Sequence, residues 1–293
     1  MKFTNSKTSE IFLNNQRYFV KRDDLLHSDF SGNKARKFYY FLKNDLQGIE
    51  KIISHGSNQS NAMYSLSVLC KLKNLKFDYY VSHLPDILSK NPNGNYKEAV
   101  KNGMNLIIGE VPTSFQENEL FIAEGGAIKE ASFGIEILAN EIKSWAKEQN
   151  IEDKKLKIFL PSGTGTTALY LQKFLPFEVF TCSCVGDDEY LKKQFLDLEE
   201  KNHPKILKKE KKYHFGKLYI EFYLKHIELL KQTNIEFDLL YDSLGWIVFE
   251  KFVKNLENKD DYIFLYIHQG GVLGNKTMIE RYKFKFPNSL ESI

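Results

Sequence analysis

The sequence predicts an α/β protein built on an open, mostly parallel sheet. Three observations carry this expectation. Short apolar runs of strand length alternate with stretches of helical spacing almost from end to end. The runs are near-continuously apolar, the pattern of strands covered on both faces, rather than alternating apolar and polar. Glycine-bearing segments follow several of them, where such a sheet turns from strand to helix and where its ligands collect.

Taken in order, residues 18–22 read as a short strand, and Asp23-Asp24 begins a polar turn. Residues 35–42 have helical spacing, with Phe38, Tyr39 and Leu42 able to share a face. A buried strand is expected at 51–54, a helix at 61–72 and a second strand at 77–81. A loop rich in Pro, Asn and Gly spans 84–95; a helix at 96–102 is closed by Gly103, and a strand follows at 105–108. Phe121-Ile122-Ala123 leads into Glu124-Gly125-Gly126, and 133–145 is an amphipathic helix. The strand at 157–160 runs straight into Pro161-Ser162-Gly163-Thr164-Gly165-Thr166-Thr167, with a helix from Ala168. A strand at 177–182, helices at 218–232 and 246–255, and a last buried strand at 262–267 complete the pattern, ending at His268-Gln269-Gly270-Gly271. Polar clusters near residue 45 and at 146–156 are the linker candidates.

With 293 residues the chain can form one large domain or two moderate ones around a substantial core, which an aromatic content of 14% fills with Phe and Tyr rings. A balance of 41 basic against 38 acidic residues is too even to imply a nucleic-acid partner. Cys70, Cys182 and Cys184 cannot form a disulfide framework, and the Cys-Ser-Cys pair lacks further ligands at zinc spacing, so all three read as reduced thiols. Residues 1–5 carry no apolar leader, and no run approaches the ~20 apolar residues that span a bilayer. A cytoplasmic protein without a membrane partner is expected.

Chemistry concentrates in a few segments. Phe30-Ser31-Gly32-Asn33-Lys34-Ala35-Arg36-Lys37 sets Lys34 behind a flexible Gly-Asn pair in the first turn of a helix. Free backbone N–H groups there make an ammonium uncomfortable and push its pKa down, as an amine that attacks carbonyls requires. Taken alone, the segment reads first as a solvated basic cluster. In Ser162 to Thr167, Gly163 and Gly165 let a backbone approach a ligand, Thr164, Thr166 and Thr167 offer hydroxyls, and the next helix offers N–H groups to an anion. No Gly-Lys-Ser/Thr follows, and position 168 is Ala, so neither a Walker A loop nor a dinucleotide fingerprint is present. A monophosphate suits this cup; an ordinary Ser/Thr-capped turn is the alternative. Ser60-Asn61 stands just before a helix, as an N-cap or as side chains facing a bound acid.

In this order, the segments resemble the fold-type-II pyridoxal-phosphate (PLP) enzymes, and among them the 1-aminocyclopropane-1-carboxylate deaminase/D-cysteine desulfhydrase family. Lys21-Arg22-Asp23-Asp24 with Gly32-Asn33-Lys34-Ala35-Arg36-Lys37 is similar to its lysine motif, and Gln59-Ser60-Asn61 to its Gln-Ser-Asn segment. Ser162 to Thr167 corresponds to its phosphate loop, and Tyr213-His214-Phe215-Gly216 to a motif of some members. Tyr241-Asp242 falls where the family has Tyr then Glu or Thr, and His268-Gln269-Gly270-Gly271 is similar to its His-Thr-Gly-Gly.

The resemblance, over residues 20–275, implies two open α/β domains with the site between them: a larger PLP-binding domain of 1–44 and 146–293 and a smaller one of 45–145. It implies a homodimer and a small amino-acid substrate. Lys34 would carry PLP as a Schiff base and move protons at the substrate carbon. Asn61 would contact the ring oxygen, and Gly163, Thr164, Gly165, Thr166 and Thr167 would hold the phosphate. Ser60 would bind the substrate carboxylate or assist attack on the substrate, Tyr241 would lie beside the ring, and Asp242 could face the pyridine nitrogen and strengthen the electron sink.

Departures fall on the substrate side. Ala62 stands for a Gln, Lys217-Leu218-Tyr219 replaces a Gly-Tyr-bearing segment, Leu244 replaces Lys, and Gln269 replaces Thr. The expected function is a PLP-dependent deaminase or lyase releasing ammonia and a 2-oxo acid, either D-cysteine desulfhydrase-like or opening a cyclopropane ring. A PLP-binding protein of the same fold with little turnover is the alternative.

Overall fold

The computed structural model describes residues 3–30, 32–199 and 201–287; Ser31 of the lysine motif lies outside the described residues. In chain order the strands are β1 (Thr8–Leu13), β2 (Gln16–Arg22), β3 (Lys51–His55), β4 (Lys76–Val81), β5 (Met104–Ile108), β6 (Glu119–Ile122), β7 (Leu156–Ser162), β8 (Glu178–Ser183), β9 (Lys205–Ile206) and β10 (Ile263–His268). The helices are α1 (Gly32–Lys43), α2 (Asn61–Lys73), α3 (Asp86–Lys90), α4 (Gly94–Lys101), α5 (Ala131–Glu148), α6 (Thr166–Phe174), α7 (Asp188–Leu196), α8 (Ile220–Thr233), α9 (Asp242–Asn255) and α10 (Asn275–Lys285).

Two sheets organise these elements. The larger runs β1-β2-β10-β7-β8-β9 and the smaller β5-β4-β3-β6. Every pairing is parallel except that of β1 with β2, a two-residue hairpin whose Asn14 and Asn15 take φ of 51° and 62°. Positive φ at both central residues is what a tight hairpin turn demands, and Asn tolerates it. Strand β7 is buried along its whole length, which accounts for its unbroken apolar reading. One core, around Trp246, Phe249, Phe159 and Tyr266, lies between the larger sheet and α9; a second, around Met63, Leu66, Phe38 and Tyr79, packs α1 and α2 on the smaller sheet.

The α/β class and parallel order are those expected. Strand β1 escaped the sequence reading because it alternates, with Ser9 half-buried and Glu10 and Phe12 exposed, as an antiparallel edge strand does. Helix α9 begins four residues before the expected start at 246, so Asp242 is its first residue and Tyr241 its N-cap. Helix α10, Asn-Lys-Thr-Met-Ile-Glu-Arg-Tyr-Lys-Phe-Lys, carries too thin an apolar stripe to declare itself; Met278 and Tyr282 are its buried side chains besides Asn275.

The ends of β2 and α1 are locked by a buried charge network. Arg36, 1% exposed, donates to both oxygens of Asp23 (2.8 and 3.0 Å) and both oxygens of Glu141 (2.7 and 2.8 Å). Lys21 adds a 2.7 Å ion pair to Glu141 and a bond to the Ser6 carbonyl. This network makes the Lys-Arg-Asp-Asp run and the lysine motif one rigid unit, because leaving any one of these buried charges unpaired is costly.

Candidate active site

The site is assembled from the carboxyl ends of β2, β3, β7 and β10 and the first turns of α1, α2, α6 and α9. The lysine loop sits on the turn after β10. Gly32 has φ 67°, and a Cβ there would lie 2.0 Å from the Gln269 carbonyl oxygen, so only glycine fits. Asn33 N donates to that carbonyl at 3.0 Å and Asn33 Nδ2 to Gln269 Oε1 at 2.9 Å, while Gln269 Nε2 donates to Pro161 O at 2.6 Å. Gln269, a departure from the family pattern, thus ties the lysine loop to the end of β7.

Lys34 reaches Asn33 Oδ1 at 3.4 Å and is otherwise poorly solvated; burial lowers its pKa from 10.5 to about 8, against the opposing charge of Asp238. One helical turn on, Lys37 is 2% exposed and donates to Gly125 O at 3.0 Å and Thr164 Oγ1 at 3.3 Å. Burial first, then the neighbouring Lys34 charge, hold its ammonium well below the ordinary value. Positions i and i+3 share a helix face. Lys37, on the same face as Lys34, thus ties α1 to the Ser162–Thr167 cup.

The cup itself is poor in partners of its own. Gly165 precedes α6 with φ 72° and no side chain caps the helix, leaving the first-turn N–H groups free. Thr167 Oγ1 is buried without a partner, and Thr164 and Thr166 hydroxyls lie 3.1 Å apart. A Cβ on Gly163 would come 3.3 Å from the Tyr241 ring, and one on Gly125 3.0 Å from Thr164 Cγ2. Free amides, three hydroxyls and a buried ammonium make an anion site.

Opposite the cup, Ser60 Oγ accepts from Ala62 N (3.1 Å) and Met63 N (3.4 Å), so its hydroxyl caps α2. Asn61 Oδ1 accepts from Asn95 Nδ2 at 2.8 Å, and Asn61 Nδ2 faces Gly271, whose added Cβ would lie 2.4 Å from it. The same Cβ position is 3.3 Å from Asp238 Oδ2. Asp242 is 1% exposed and spends both oxygens inside the protein: Oδ1 accepts from Tyr266 OH at 2.7 Å and Oδ2 from Asp238 N at 3.1 Å. Asp238 Oδ1 accepts from Tyr241 N (2.6 Å) and Leu240 N (3.0 Å). Burial pushes the Asp238 carboxyl up to about 7, and burial with the Asp238 charge raises Asp242 well above the usual carboxylate range. The Tyr241 ring meets Phe215 at 5.3 Å.

The sequence-derived candidates Lys34, Ser60, Asn61, Gly163, Thr164, Gly165, Thr166, Thr167, Tyr241 and Asp242 all lie on loops or helix starts, with the Ser60 hydroxyl capping α2 and both Asp242 oxygens bonded within the protein. Lys37, Asn95 and Asp238 were missed. The i, i+3 spacing to Lys34 could have found Lys37. Asp238 gives no sign beyond preceding Asp242 by one helical turn, and Asn95 falls at the end of a Pro-, Asn- and Gly-rich stretch that reads as a loop. Two departures are core residues: Ala62 and Leu244 are each 2% exposed. Tyr219 OH accepts from His214 N at 2.9 Å, so it braces the 213–216 loop. Among the described residues no group of His, Cys, Asp or Glu could hold a metal ion, and no helix is long and apolar enough to cross a membrane.

Comparison with solved structures identifies this architecture. A structure described as an ACC deaminase homologue superposes with a TM-score of 0.71 at 19% identity, covering 94% of this chain and 93% of that one. The chain has the fold-type-II architecture. A hydrogen sulfide-producing enzyme from Fusobacterium nucleatum matches with a TM-score of 0.63 at 13% identity over 92% of this chain and 93% of that one. A pyridoxal 5'-phosphate-dependent aspartate racemase matches with a TM-score of 0.60 at 12% identity over 91% and 90%. No family model matches the sequence, and no curated protein matches it. The lysine loop precedes α1, Ser60-Asn61 opens α2 after β3, and the cup joins β7 to α6.

Proposed function

We propose that the protein is a PLP-dependent deaminase or lyase acting on a small amino acid. One observation carries the reading: Lys34, its pKa lowered to about 8, stands one helical turn from Lys37, which donates to an α6 cup with an orphaned hydroxyl and uncapped amides. An anion site at one end and an amine whose depressed pKa leaves a fraction unprotonated near neutral pH at the other suit a phosphorylated aldehyde. Gly163 to Thr167 and Lys37 would hold the phosphate, Lys34 would hold the aldehyde carbon, and Asn61 would hold the ring oxygen. When bound, PLP supplies the electron sink that labilises bonds at the substrate α-carbon.

The chain's own residues do the rest. Ser60, whose hydroxyl caps the N-terminus of α2, would bind the substrate carboxylate at the positive end of that helix. Lys34 takes and returns the proton at the substrate carbon, and its depressed pKa keeps a fraction of free amine near neutral pH. Tyr241, lying against Gly163, walls one side of the space. Asp238, coupled electrostatically to Lys34, supplies a carboxyl that titrates in the same range, at about 7. The domain division at 1–44 with 146–293 against 45–145 belongs to the same reading, supported by the confinement of the smaller sheet's strands to residues 51–122.

With a D-cysteine-type substrate, loss of the α-proton and expulsion of sulfide would be followed by water to give pyruvate and ammonia. A cyclopropane amino acid has no α-proton and would need ring opening to 2-oxobutanoate. The apolar, buried Ala62 and Leu244 favour the second reading, a PLP binder with little turnover. The deciding assay is a panel of D- and L-amino acids, read as pyruvate and 2-oxobutanoate release by the PLP-loaded protein. Release from at least one substrate is expected. A yellow protein inert across the panel would leave the binder, and a colourless one would reject the cofactor.

A further inference from the structure

Asn95 is the second residue of α4, comes from the smaller sheet's side of the site, and is 1% exposed. Its Nδ2 donates to Gln59 O at 2.9 Å and to Asn61 Oδ1 at 2.8 Å, so both amide hydrogens are spent on the loop that carries Asn61. An asparagine amide has ends of nearly equal size and opposite polarity, and only its partners decide which end faces which way. Asn95 takes the oxygen of Asn61. The NH2 of Asn61 is thereby turned toward Gly271 and the Asp238 carboxyl, into the site.

The clamp is fastened at both ends. Gly94 has φ 53°, and a Cβ there would lie 2.3 Å from Thr277 Oγ1 and 2.8 Å from Gln59 Oε1. Gln59 Nε2 donates to Asn93 Oδ1 at 3.1 Å and Asn93 O at 3.2 Å, and Thr277 Oγ1 donates to Asn93 Oδ1 at 3.4 Å. Residues 93–95 therefore bind the Gln-Ser-Asn loop on one side and α10 on the other. The Asn95 Oδ1 is buried without a partner, so burying this side chain is costly and its two donated bonds must offset that cost.

We propose that Asn95 is a positioning residue that fixes the orientation of the Asn61 amide, so that a hydrogen-bond donor rather than an acceptor meets the ring oxygen of the bound cofactor. The inference rests on the PLP reading above. A donor at that oxygen neutralises its negative charge and so weakens its hold on the proton of the neighbouring Lys34 nitrogen. Losing the donor raises the pH at which that proton leaves.

The test is a titration of the apoprotein with PLP, followed through the visible band of the bound cofactor, and then a pH titration of that band. In Asn95→Ala the affinity should fall about tenfold, the loss of one hydrogen bond's worth of orientation, and the pH midpoint should rise. Asn95→Asp keeps the shape but faces the Asn61 oxygen with another acceptor; it should raise the midpoint at least as far, and it serves if the alanine variant does not fold. In an Asn61→Ala background, Asn95→Ala should add no further change to the midpoint. An unchanged midpoint in both single variants, or an equal shift with and without Asn61, would overturn the proposal while leaving the cofactor in place. Absence of a visible band in the unaltered protein would instead strike the PLP reading itself.

Discussion

Lys34 and Lys37 stand one helical turn apart, and the site separates their tasks by what each can touch. Lys37 donates to Thr164 and Gly125, so its charge belongs to the cup. Replacing it with Met should weaken PLP far more than pyridoxal, which lacks the phosphate; equal losses in the two absorbance titrations would remove Lys37 from the anion site. Asp238 gives a pH-dependent prediction. Its carboxyl is raised from 3.8 to about 7 by burial, so between those values the folded protein holds a proton that the unfolded chain has released. Its contribution therefore favours folding at low pH and is lost as pH rises through 7. Asp238→Asn keeps an oxygen for the Tyr241 and Leu240 amides without the charge. Its melting temperature relative to the parent should be higher at pH 8 than at pH 5; a constant difference would contradict a raised carboxyl. At this scale the sequence named ten candidate residues and left out Lys37, Asn95 and Asp238. Lys34 and the cup are motif residues whose chemistry shows in their types, whereas Asp238 and Asn95 act through contacts made by residues far apart in the chain.

Helix α1 carries the lysine, and its seat is α5. A Cβ on Gly134 would lie 2.0 Å from Arg36 O and 3.0 Å from Tyr39 Cβ, so the two helices touch backbone to backbone there. Gly134→Ala should destabilise the protein by about 1–3 kcal/mol, the usual cost of overpacking, measured by urea denaturation; unaltered stability would mean that α1 and α5 separate freely. Helices α2 and α5 and strands β3, β4, β7, β8 and β10 were legible because apolar period and length agree with burial on one or both faces. Strand β1, helix α7 and helix α10 were not, since an edge strand and lightly buried helices leave most of their residues to solvent. The early start of α9 was hidden too: Asp242 is a poor helix former in mid-helix but suits a first turn, where the helix dipole favours a carboxylate.

Across the molecule, loops of the two sheets meet. Lys37 and Thr164 meet the Glu124-Gly125-Gly126 turn, and Asn93 meets Thr277. The strand-helix alternation foretold the parallel order, but which strand ends meet depends on packing that no local pattern encodes. The direct measurement is to incubate the protein with PLP, reduce it with borohydride, digest it and locate the phosphopyridoxyl group by mass spectrometry. The label is expected on Lys34, and Lys34→Ala should abolish it. A label on another lysine with Lys34 free, or no label at all, would contradict the convergence of that amine and the α6 cup on one cofactor.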